Sequence, residues 1–114
     1  MNTKTTLDYM YGLISTMLLM VAASAHAVDD AAAQTLLKDS KCLKCHSIDK
    51  KKDGPSYGEI AAKYKDKPDA VAKLTKHVTE PSKVEVDGVK EDHGGVKTRD
   101  PAKIGNLVQW ILSR

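Results

Sequence analysis

Cys42 and Cys45 stand three positions apart, and His46 follows at once, in Cys42-Leu43-Lys44-Cys45-His46. Two thiols at that spacing can each add to one vinyl group along the same edge of a porphyrin. The histidine beside them is then held beneath the iron and can coordinate it. The pattern is that of covalent haem attachment. One covalent haem c and its iron are the expected cofactor, with His46 as an iron ligand. Competing chemistries need more than the chain offers. A thioredoxin-like dithiol needs a βαβ setting. A structural zinc site needs four ligands, and these are the only cysteines in the chain.

The N-terminus sets the compartment in which those thiols would react. Lys4 supplies a positive start, with Asp8 an untypical acid beside it, and Tyr11 to Ala23 is an apolar run. Ala25-His26-Ala27 is a small-x-small cleavage pattern. Together they predict a secretory signal peptide over residues 1–27, cut after Ala27, with Ala25 the main alternative. An uncleaved anchor is the other reading, but the run is shorter than the roughly 18 apolar residues a spanning helix needs. A periplasmic location with no stable membrane insertion after cleavage follows.

The remaining segment, residues 28–114, makes one small domain. A chain of that size seldom buries enough apolar surface to be stable without a staple. The cysteines are committed, so no disulfide is at hand. Beyond the leader the aromatic residues are Tyr57, Tyr64 and Trp110, with no Phe. Haem is the missing hydrophobic mass. The formal net charge is +3, and the leader's one Lys and one Asp leave it unchanged. That is too mild to argue for nucleic acid as a partner.

Local signals predict an all-α outline. Asp29 and Asp30 can cap a first helix running to about Ser40, with Ala33, Leu36 and Leu37 inward. The attachment motif follows, then a polar loop from Ser47 to Pro55. Ser56-Tyr57-Gly58-Glu59 is a capping box opening a helix through Tyr64. Asp66 and Pro68 mark a third helix, with Val71, Leu74 and Val78 as its apolar stripe, ended by Pro81. Val84 to Val89 alternates around Asp87-Gly88, as a small hairpin or an irregular loop would. Asp100-Pro101 starts the last helix. Ile104, Leu107, Val108 and Ile111 face inward there, with Trp110 at the edge of the stripe.

In this order of elements the chain resembles the small bacterial class I cytochromes c. The resemblance spans nearly all of residues 28–114 and rests on CLKCH, GPSYGEIAAKY and LVQWILS. It implies an all-α class I cytochrome c fold, about four helices around one haem, and electron transfer with redox partner proteins rather than catalysis. It also implies His46 as the proximal ligand, with the Pro55 carbonyl accepting a hydrogen bond from its other ring nitrogen. The first and last helices would cross, bringing Leu36 and Leu37 to the Trp110 region.

One departure from the family changes the chemistry. Its second axial ligand is normally a methionine in the loop before the last helix. Here all four methionines, Met1, Met10, Met17 and Met20, lie in the leader. His93, in Glu91-Asp92-His93-Gly94-Gly95, stands near the family's methionine position and is the expected sixth ligand. The two glycines would let backbone pass close to the haem face. His77 is the alternative, but is expected at a haem edge near a propionate or in solvent. Two imidazoles lower the reduction potential relative to a His/Met pair. The expected function is a low-potential periplasmic electron carrier, free or as the haem subunit of an oxidoreductase. The alternative is a ligand-binding or sensor cytochrome whose open distal site accepts a diatomic gas. Lys41 and Lys44 flank the motif and could steer an acidic partner. Lys50, Lys51 and Lys52 read equally as solvated surface. Lys97 and Arg99 could reach propionates or solvent.

Overall fold

The computed structural model describes residues 27–114, so the expected leader lies outside the described residues apart from Ala27. Four helices and one hairpin follow in chain order: α1 (Asp30–Asp39), α2 (Tyr57–Tyr64), α3 (Ala70–Thr79), β1 (Ser82–Val86), β2 (Val89–His93) and α4 (Pro101–Leu112). A single 3₁₀ turn, Cys42–Lys44, separates α1 from the polar loop. No described helix is long and apolar enough to cross a membrane.

Each helix starts where local chemistry satisfies its free amides. The Asp29 carboxylate accepts from Ala32 N–H at 2.9 Å. At α2 the capping box closes in both directions, Glu59 N–H to Ser56 Oγ at 3.1 Å and Ser56 N–H to Glu59 Oε2 at 2.8 Å. Asp100 caps α4 through Ala102 N–H, with Pro101 at the first helical position. The third helix departs from expectation. Asp66 adopts a left-handed conformation, φ 61°, and Asp69 is the N-cap. Ala70, one turn before Leu74, takes the buried place. Val71 lies outboard and is exposed, so only Leu74 and Val78 of the expected stripe turn inward.

Helix α4 is the hub against which α1, α2 and α3 all pack. Leu37, Tyr57, Leu74, Leu107, Val108, Trp110 and Ile111 form the centre of the core. The chain ends are laced together as the crossing requires. Asp29 N–H donates to Asn106 Oδ1, and Asn106 Nδ2 donates to the Asp29 carbonyl, both at 2.8 Å. Trp110 is not at an edge but is fully buried. The crossing of α1 over α4 turns that flank into interior. The indole N–H donates to the Asp30 carboxylate. The Tyr57 ring meets the indole edge-on, centres 5.3 Å apart, and the Arg114 guanidinium lies 4.4 Å over the indole face. Trp110→Ala should therefore cost about 3–5 kcal/mol. The denaturant midpoint of the haem-loaded protein checks this.

The hairpin is formed. Asp87 and Gly88 both have positive φ, 50° and 80°, which is the two-residue type I′ turn that matches strand twist. Its antiparallel register sets Ser82 opposite His93 and Val86 opposite Val89. Ser82, Val84 and Val86 turn to the half-buried face while Lys83 and Glu85 point out. Lys83 pairs with Asp92 across the outer face.

Candidate functional site

The attachment motif sits on a sharply folded segment. Lys41 takes a left-handed conformation, φ 60°, and the 3₁₀ turn after it brings His46 N–H onto the Cys42 carbonyl at 3.1 Å. Both cysteine side chains are half-buried. Burial pushes the Cys42 thiol above its ordinary pKa. Lys52, which the sequence left between docking and solvent, reaches back instead and donates to the Leu43 carbonyl at 3.0 Å.

His46 is held by two contacts. Its Nδ1 lies 2.7 Å from the Pro55 carbonyl oxygen, the partner that the family resemblance implies. That bond fixes Nδ1 as the protonated nitrogen and leaves Nε2 as the lone-pair donor. Gly54 lies close against the same ring. A Cβ on Gly54 would stand 2.7 Å from His46 Cε1. Gly54→Ala should displace the imidazole and cost about 1–3 kcal/mol, as overpacking does. A lowered denaturation midpoint with a weakened low-spin haem spectrum checks it. Tyr57 was legible only as part of a capping box. Its ring bridges His46, at 5.4 Å between centres, and Trp110, tying the site to the core.

His93 comes to the same place from the far side of the fold. It is the last residue of β2. Its ring centre lies 6.2 Å from that of His46, with the planes at 76°. Two imidazoles bonded to opposite faces of one metal at about 2.0–2.1 Å would set their ring centres about 6 Å apart. Partial burial, aided by the neighbouring His77 and His46 rings, lowers the pKa of His93. The neutral ring is the form that can bind a metal. The loop after His93 is anchored by Val96 N–H on the Val78 carbonyl at 2.8 Å and Lys97 N–H on Ser40 Oγ at 2.9 Å. Gly95 serves that anchor, since a Cβ there would meet the Thr79 carbonyl at 2.7 Å. Its close approach is to the end of α3.

His77 stands on α3, exposed and lining the same cleft. Its ring lies 4.2 Å from that of His93, tilted by 33°.

Between these groups lies a cleft of about 660 Å³, lined by Cys45, His46, His77 and His93 together with apolar Ile60, Tyr64, Leu74, Val84 and Val86. That size and lining suit a flat apolar cofactor with polar ends. A similarly large depression beside Ile48 and Arg114, about 710 Å³, contains no cysteine or histidine. Among the described residues no three His, Cys, Asp or Glu side chains converge as a bare-ion site. Two opposed imidazoles beside two thiols therefore fit an iron whose remaining ligands come from a macrocycle.

Known proteins of similar sequence and fold identify the family. Residues 31–114 match the Cytochrome c family. The class 1 cytochrome MtoD from Sideroxydans lithotrophicus ES-1 superposes with a TM-score of 0.72 at 49% identity, over 76% of this chain and 97% of that one. Cytochrome c-551 of Pseudomonas denitrificans is 31% identical over 73% of this chain and 98% of its own length. Cytochrome c-552 of Hydrogenobacter thermophilus is 33% identical over 83% and 94%. The chain belongs to the cytochrome c family, as a small class I member with one covalently bound haem c that carries electrons and is not an enzyme.

Proposed function

We propose that this chain is an exported, periplasmic one-electron carrier of low potential, with its iron between His46 and His93. The observation that carries the reading is the 6.2 Å spacing of the two rings in a chain whose methionines all precede residue 21. Cys42 and Cys45 would hold the haem by thioether bonds. His46 would be oriented by the Pro55 carbonyl, and His93 would be presented by the hairpin.

The bound haem supplies a one-electron iron couple. The chain's own residues set how that couple behaves. Imidazole favours ferric iron relative to the thioether of a methionine, so the potential falls below that of a His/Met relative. With both His46 and His93 holding the iron, no place would remain for a substrate. The apolar walls from Ile60, Leu74, Val84 and Val86 exclude water. Lys41 and Lys44 are exposed beside the attachment turn and would steer an acidic redox partner toward the haem edge. Such a carrier works free or as the haem subunit of an oxidoreductase.

Optical spectra of the exported protein with a redox titration on the same sample test the reading. Low-spin haem in both oxidation states, indifferent to carbon monoxide, is expected. High-spin ferrous haem that shifts with carbon monoxide would overturn it in favour of a gas-binding cytochrome.

A further inference from the structure

Two buried side-chain atoms among the described residues have no hydrogen-bond partner, Ser82 Oγ and His93 Nδ1. They belong to residues that face each other directly in the hairpin register. Directly opposed side chains share one face of the ladder, with Cβ atoms about 4.5–5.5 Å apart. A serine hydroxyl turning about its single torsion spans most of what remains to an imidazole nitrogen. Buried polar groups are almost always paired, and two orphans at one register position complement each other in chemistry. A neutral imidazole bound to a metal through Nε2 carries its proton on Nδ1 and must donate it. A hydroxyl oxygen accepts. The His77 ring, 4.2 Å away between centres and tilted by 33°, makes no hydrogen bond to His93 Nδ1.

We propose that Ser82 is the positioning residue of the distal ligand, its Oγ accepting the hydrogen bond from His93 Nδ1–H. It would do for His93 what the Pro55 carbonyl does for His46 at 2.7 Å. The inference rests on His93 being the second iron ligand. Its consequence is electronic as well as geometric. An acceptor on Nδ1–H makes the imidazole a better donor to ferric iron. The turn at Asp87-Gly88 fixes the register, so the two residues cannot slide apart without flipping the strand's faces.

The test compares wild-type haem protein with Ser82→Ala and Ser82→Thr. In Ser82→Ala the reduction potential should rise. Carbon monoxide, which must wait for His93 to leave, should bind the ferrous form about ten times faster, the lower end of what losing such a partner costs. Ser82→Thr keeps the hydroxyl and should keep both values. In the wild-type protein labelled with ¹⁵N-histidine, the His93 Nδ1 proton should exchange slowly with solvent. Wild-type potential and carbon monoxide rate in Ser82→Ala would overturn the proposal. So would a threonine variant that behaves like alanine, or immediate exchange of the Nδ1 proton in the unmodified protein. The last measurement needs no variant to fold. His93→Ala, run beside them, separates the two claims. If it leaves the spectrum unchanged, the ligand assignment fails. If it opens the iron while Ser82→Ala changes nothing, only the role of Ser82 fails.

Discussion

Cys42→Ala/Cys45→Ala should yield a chain that neither retains haem nor folds. The described core is built from 11 buried apolar residues, three of them alanines. A haem that buries on the order of 500 Å² of apolar surface contributes roughly 12 kcal/mol before ordering costs. Domains of this kind have a total stability of about 5–15 kcal/mol. Losing the haem therefore removes a contribution as large as the whole margin, and opens a cleft of about 660 Å³ beside Leu74 and Tyr64. Denaturing electrophoresis with haem staining reads the covalent bond directly. The wild-type polypeptide should keep its colour and resist acid-acetone, and the double variant should be colourless. Circular dichroism of the variant should show lost helix. Colour retained without either thiol would refute the attachment site.

The second large effect concerns the distal face. His93→Ala should convert low-spin ferrous haem into a form that binds carbon monoxide. His77→Ala should leave the spectrum low-spin, because that ring leans on His93 and does not replace it. His93→Met should raise the potential if the sulfur reaches iron, since a thioether favours the ferrous state. A spectrum unchanged by His93→Ala would move the assignment to His77 or a lysine.

Much of this was legible because the signals are local. The capping box at Ser56-Glu59, the Asp100-Pro101 start and the Asp87-Gly88 turn each depend on a few neighbouring residues, and each stands where the sequence places it. The errors came where neighbours in space decide. Val71 fits a helical period, yet packing buries Ala70 in its stead and leaves Val71 exposed. Trp110 looked peripheral along its own helix, and only the crossing of α1 encloses it. The contact of His77 with His93 carried no signal, because sixteen positions separate them. The approach of the two rings is a product of the hairpin folding back toward α3. Ser82 carried no signal of its own. Its relation to His93 exists only in the register, which a loop reading of the same residues does not specify.

The place of His77 beside the cleft also bears on how the chain reaches this structure in time. If the haem is tied to Cys42 and Cys45 while the rest of the chain is still unfolded, His46 is the iron's immediate neighbour. Every other histidine must come to it by closing a loop. His77 is 31 positions from His46 and His93 is 47. Closure cost grows as (3/2)RT ln n, so the shorter loop is favoured by about 0.4 kcal/mol, roughly twofold. The unfolded chain thus offers the metal its wrong imidazole somewhat more often than its right one. Correct ligation is not preferred by proximity along the chain. The turn at Asp87-Gly88 and the strand that carries His93 would have to make up that difference.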